Sequence, residues 1–306
     1  MMRIKNWALA TFILCFLVII AGGVVRTTQS GMGCPDWPKC FGKWIPPTNA
    51  SELPADFEKY LRKQDIDHTF NALHTWIEYF NRLLGVLLGL FAIIQAGVLF
   101  FKRQTFSKAY KLSLAFLITV ILTGLFGAIV VKLNLAHASI SVHLLFAILL
   151  VQIQLALLFS LNSKLFSIPI NKKVKNLVLI FLILLFCQSV LGTMVRMYVD
   201  DVSKTLHYEQ RETWLAQSPI AFLIHRSFSW VILLGALYMA WYCRDIQAIK
   251  NKVFALAAII VLSMVTGIVL FYADMPAIAQ PIHLLLASLA ITQSFGLLLQ
   301  TKRESK

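Results

Sequence analysis

Residues 7–26 read WALATFILCFLVIIAGGVVR, with no charge until Arg26. A bilayer core is roughly 30 Å thick and takes about 20 apolar residues as α-helix, so this run makes one span by itself. Further runs of the same kind lie near 83–101, 112–131, 138–161, 177–195, 222–243, 253–272 and 281–299; with 7–25 that makes eight. Backbone polar groups must be satisfied inside lipid, which for runs this long and apolar leaves only helix. The sequence therefore predicts an all-α integral membrane protein of eight transmembrane helices. The first run is too long for the apolar region of a signal peptide, and no clean cleavage site follows it. Composition agrees: 14% of residues are charged, against about 25% in soluble domains.

The net charge of +14 suggests a nucleic-acid partner until its distribution is read. With the N-terminus inside, the inner segments are 1–6, 102–111, 162–176, 244–252 and 300–306. They hold 16 of the 28 Lys and Arg but only two of the 14 acids, Asp245 and Glu304. Asp36, Glu52, Asp56, Glu58, Asp200 and Glu209 fall outside. This is the positive-inside pattern; it predicts a multi-pass protein in lipid with both termini in the cytoplasm, and no nucleic-acid binding. The compact chain with no transit sequence leads to the expectation of a bacterial inner membrane. Cys34 and Cys40 then lie on the outer face, where a disulfide can persist.

The two halves of the chain match. Gly22-Gly23-Val24-Val25-Arg26 matches Gly192-Thr193-Met194-Val195-Arg196, Asn81-Arg82 matches His225-Arg226, and Thr123-Gly124 matches Thr266-Gly267, at offsets of 170, 144 and 143. Repeated helices of the same orientation imply a parallel repeat. The expectation is two repeated four-helix bundles: residues 1–165, carrying the Cys-containing outer loop, and residues 166–306.

The seven histidines are His68, His74, His137, His143, His207, His225 and His283, and none falls on the cytoplasmic side. Ionisable groups at membrane depth are expensive and usually functional. His143 in span four and His283 in span eight occupy corresponding places, and His225 opens span six. His225 and His283 come from two helices of one bundle, which is what axial ligation of a haem iron requires. A hydrogen-bonded interfacial role is the alternative. No Cys-x-x-Cys-His is present, so covalent attachment is not expected.

The first half breaks the pattern, because Asn81 stands where His225 stands in the second. Two histidines close both axial positions and suit electron transfer; one leaves a side open and suits chemistry. Glu78, three residues before Asn81, shares its helical face and is a candidate acid/base group, or else an ion-pair partner of Arg82. His74 lies about 10 Å further along the helix, a distant second ligand. Arg26 and Arg196 end matching spans, as haem propionate partners or membrane anchors.

These features together resemble the heme A synthase family, which converts haem O to haem A for terminal oxidases. The resemblance rests on GGVVRTTQSGMGCPDWPKC at 22–40, IEYFNRLLG at 77–85, SVHLLFA at 141–147, IHRSFSW at 224–230 and PIHLLLA at 281–287. It implies haem b (iron) held by His225 and His283, a substrate haem O facing His143, a functional Glu78, and a Cys34–Cys40 disulfide that is either a loop staple or redox-active. It implies oxidation of one haem methyl to a formyl by successive hydroxylations, with haem O synthase and cytochrome oxidase assembly proteins as plausible partners. One branch of the family carries histidine where Asn81 stands and a second cysteine pair in the second half; residues 196–223 here contain no cysteine. Two rivals remain. A di-haem electron-transfer cytochrome would want two histidines in both bundles, and a repeat-fold transporter would want helices broken at mid-membrane.

Overall fold

The apolar runs become continuous helices in the computed structural model, which describes residues 2–61, 70–162, 168–169 and 172–302. The helices are α1 (Met2–Thr27), α2 (Glu58–Leu61), α3 (Ala72–Phe101), α4 (Ser107–Lys132), α5 (His137–Ser160), α6 (Lys172–Thr205), α7 (Ile220–Tyr242), α8 (Lys250–Tyr272) and α9 (Ala279–Gln300). Among the described residues, all but the one-turn α2 are long and apolar enough to cross a membrane, and the chain is a multi-pass membrane protein. Ile118, Ile121, Leu122 and Leu125 along α4 are about half exposed, a cost in water that lipid removes. The one strand pairing among these residues is two residues long, Ile168–Pro169 beside Thr301–Lys302. His68 lies outside the described residues.

Two helices run well past their apolar cores. At 1.5 Å per residue, the 30 residues of α3 span about 45 Å and the 34 of α6 about 51 Å. The extra turns of α3 come from HTWIEYFNR, which hydropathy alone does not mark as span. Asn71 caps it, its side-chain oxygen accepting from the His74 N–H at 3.2 Å, and Thr75 and Glu78 are buried on one face.

The chain divides into two compact units, Met1–Leu158 and Phe159–Lys306. In the first, Trp7 of α1 stacks on Phe91 of α3 with ring centres 4.3 Å apart. Deeper, Gln95 of α3 and Gln154 of α5 exchange two amide hydrogen bonds of 2.9 Å, and Gln154 also donates to the Ala8 carbonyl of α1 at 2.8 Å. Three helices are thereby tied at one level, and the two amides are 2% and 0% exposed. In the second unit the residues at the corresponding offsets of 144 and 140, Met239 and Ser294, are also buried, and no amide pair joins them.

The turns from α4 to α5 and from α8 to α9 share one geometry. Asn134 and Leu135 have φ of 51° and 59°, and Asp274 and Met275 have 58° and 54°. The Leu135 N–H reaches the Val130 carbonyl at 3.0 Å, and that of Met275 reaches Leu270 at 3.1 Å. Every residue in these turns corresponds at an offset of 140, not 143. The reason is that α4 has 26 residues and α8 has 23, so α4 is longer by about one turn. Counted from the N-terminal ends of α4 and α8, Thr123-Gly124 corresponds to Thr266-Gly267; counted from their C-terminal ends, Phe126-Gly127 does. The offset of 143 at Thr123-Gly124 therefore does not hold to the end of this helix.

Candidate functional site

In the second unit, the His225 and His283 rings stand 6.5 Å apart between centres, with planes at 74°. Two imidazoles bound to one metal at ~2 Å, with ~1 Å from each nitrogen to its ring centre, have centres ~6 Å apart. The pair therefore fits axial ligation of a haem iron. Glycines back both rings. A Cβ on Gly192 of α6 would lie 3.2 Å from His225 Cε1, and one on Gly267 of α8 would lie 3.4 Å from His283 Cε1. Gln188 of α6 donates to the His225 carbonyl at 3.0 Å, fixing α7 at that residue. His283 Nδ1 lies 2.9 Å from the Thr266 hydroxyl oxygen. His225 Nδ1 is buried with no hydrogen-bond partner.

In the first unit, His143 sits against Gly127, whose Cβ would lie 3.4 Å from Cε1. Gly127 precedes its histidine by 16 residues, as Gly267 does. That constant spacing is the sequence signal that the Thr-Gly match concealed. His143 Nδ1 and Asn81 Oδ1 are both buried without a partner. Buried polar atoms in folded proteins are nearly always paired, so each of these two atoms is a place where a polar ligand group could be accommodated. Gly22, which corresponds to Gly192, has nothing within 4 Å of a built Cβ. His74 stands in the first turn of an unbroken α3, about two turns from Asn81.

The loop after α1 is fastened to α3 close to Asn81. Cys34 and Cys40 form a disulfide; both are 0% exposed and pack with Phe41, Tyr60, Phe70 and Tyr79. The Cys34 N–H donates to Glu78 Oε2 at 2.6 Å. The Arg82 guanidinium donates to Glu78 Oε1 at 2.6 and 3.1 Å. It also donates to the carbonyls of Cys34 at 2.6 Å, Asp36 at 2.6 Å and Lys39 at 3.0 Å. Thus both carboxylate oxygens of Glu78 are engaged, and Arg82 holds the ring closed by the disulfide along three carbonyls. The i,i+4 spacing announces the ion pair; the loop clamp, which depends on long-range closure, has no sequence signal.

Gly33 permits this closure, since a Cβ there would lie 2.4 Å from the His74 carbonyl oxygen. The Asp36 carboxylate accepts from the Phe41 and Gly42 N–H groups at 2.6 and 2.9 Å, closing the turn at Gly42 (φ 74°). Further out, hydrogen bonds from the backbone and hydroxyl of Thr48 hold the Glu52 carboxyl below the usual carboxylate range. Arg26 stands half-buried in the last turn of α1. Arg196 lies within α6, its guanidinium 3.5 Å from Asp200.

The model of the COX15-CtaA family, described as cytochrome oxidase assembly protein, matches residues 5–295. The chain is similar to the heme A synthase of Orientia tsutsugamushi (strain Ikeda), 26% identical over 340 residues, covering 94% of this chain and 92% of the relative. It is 25% identical to that of Bartonella bacilliformis over 319 residues, covering 92% and 87%. To the heme A synthase of Alkalihalophilus pseudofirmus it is 31% identical over 142 residues, covering 46% and 40%.

Proposed function

This chain belongs to the COX15-CtaA family of cytochrome oxidase assembly proteins, and from that premise we propose that it is a heme A synthase that oxidises the C8 methyl group of haem O to a formyl group. The observation that carries this reading is the inequality of the two units. One presents two histidines at ligating separation; the other presents His143, with Asn81 in the place of the second imidazole.

In this reading His225 and His283 are the residues that would hold a resident haem b. Haem b, when bound, would supply one-electron redox chemistry. His143 holds the haem O iron from one side, and Asn81 leaves the opposite side without an imidazole. His74 is the lesser choice for that side, because the helix between it and Asn81 is continuous. Glu78 acts as the acid/base group at the outer edge, held by Arg82 and poised to pass a proton. Arg26 and Arg196 meet propionates, Arg196 with its charge shared by Asp200. Both termini face the cytoplasm of a bacterial cell, and haem O synthase and oxidase assembly proteins supply and receive the haem. The other member of this pair of readings, a di-haem electron carrier, is disfavoured by Asn81.

The test is expression in cells that make haem O but no haem A, with extracted haems identified by chromatography. Haem A, appearing with the wild type and absent with His143→Ala, is the expected result. Two haem b per chain and no haem A would overturn the assignment in favour of the electron carrier.

A further inference from the structure

The Thr266 hydroxyl touches two groups. Its oxygen lies 2.8 Å from the Ser263 carbonyl, to which it donates, and 2.9 Å from His283 Nδ1. A hydroxyl has one hydrogen and two lone pairs. The carbonyl can only accept, and with the hydrogen turned toward it the oxygen is an acceptor toward His283. In that arrangement His283 Nδ1 carries the imidazole hydrogen. In the neutral ring this leaves the lone pair on Nε2, the form a metal requires. Ligating histidines ordinarily have such an outer partner, which fixes the ring and raises its basicity.

The first unit lacks this contact. Thr266 precedes His283 by 17 residues, and the residue 17 before His143 is Phe126. Its ring lies 5.7 Å from that of Phe146 and has no group that could hold Nδ1. The nearby Thr123 donates instead to the Thr119 carbonyl of its own helix at 2.6 Å. His143 Nδ1 is left buried and unpartnered. The extra turn of α4 is what carries the threonine out of reach.

We propose that Thr266 is a positioning residue that makes His283 a permanent ligand, and that Phe126 in the corresponding place leaves His143 a releasable one, matched to a haem that must arrive and depart. The inference rests on the haem assignment above and adds to it the device that separates resident from substrate haem. An Nδ1–H···O bond strengthens the imidazole as a donor and favours the ferric state, so its removal raises the reduction potential.

The experiment is redox titration of haem b in the purified full chain, for wild type, Thr266→Ser and Thr266→Val, with haem b counted per chain. Thr266→Val is expected to weaken ferric-haem binding relative to ferrous about tenfold, at the low end of outer-partner effects, which is a rise of about 59 mV for one electron. Thr266→Ser, which keeps the acceptor, is expected to match wild type. If Thr266→Val loses the haem altogether, recovery of haem by Thr266→Ser supports the inference, and equal loss in both overturns it. Equal potentials in all three proteins overturn it while leaving the haem assignment intact. Wild type without haem b would overturn the haem assignment itself, and the inference with it.

Discussion

The two units place one histidine each against a glycine at the same spacing, and surround it differently. In the second, His283 has an outer hydrogen bond and a facing imidazole. In the first, His143 has neither Thr266's counterpart nor a histidine at the position of His225. The loops that cover the two units differ as well. In the second unit, Trp214, Leu215 and Phe222 pack on Val199 and Met275, with Arg211 over the Trp214 ring and donating to the Met275 carbonyl. In the first, a disulfide ring is clamped to α3 by Glu78 and Arg82. The lesson is that one helical plan can set two histidines face to face, with an outer partner on His283 alone, or leave a single histidine unpartnered beneath a clamped loop.

The largest effect that would sharpen this contrast is at the facing pair. His225→Ala is expected to abolish stoichiometric haem b, read from the reduced-minus-oxidised spectrum of the purified protein; retention of a full complement would break the comparison. Next comes the clamp. Arg82→Ala removes five hydrogen bonds and leaves Glu78, 4% exposed, as a buried charge without its counter-ion. Such losses cost about 3–5 kcal/mol, so a clear fall in the denaturation midpoint in detergent is expected.

A smaller change is expected from the amide lock. Gln154→Ala should cost about 1–3 kcal/mol by leaving Gln95 and the Ala8 carbonyl unsatisfied. Replacing Gln95 by Met and Gln154 by Ser together, which copies the second unit, should cost less than the single change. Thermal denaturation of both variants decides it. The smallest effect contrasts two glycines. Gly192→Ala presses on the His225 ring, and a fraction of haem b should be lost on dilution. Gly22→Ala meets open space and should leave haem content unchanged.

The fold was legible because lipid makes its demand residue by residue. Eight apolar runs give eight helices, and hydropathy alone starts the second of them near 83 because HTWIEYFNR is held by the loop rather than by lipid. His225 and His283 could be paired from the matching positions of Asn81 and His225 and from their places in spans six and eight. The partners of those histidines were harder to see. Thr123-Gly124 mimics Thr266-Gly267 in sequence, but a difference of three residues in helix length moves it a turn away, and sequence likeness does not register that rotation. Glu78–Arg82 was visible as an i,i+4 pair. Its grip on Cys34, Asp36 and Lys39 was not, since carbonyl oxygens have no signature in the sequence.

The central claim is that the two histidine sites hold different haems. The measurement that tests it most directly is identification of the haems bound to purified His143→Ala and His283→Ala, made in cells that supply haem O. The account predicts that His143→Ala keeps one haem b per chain and carries neither haem O nor haem A, whereas His283→Ala loses haem b. Loss of the same haem from both variants would contradict it.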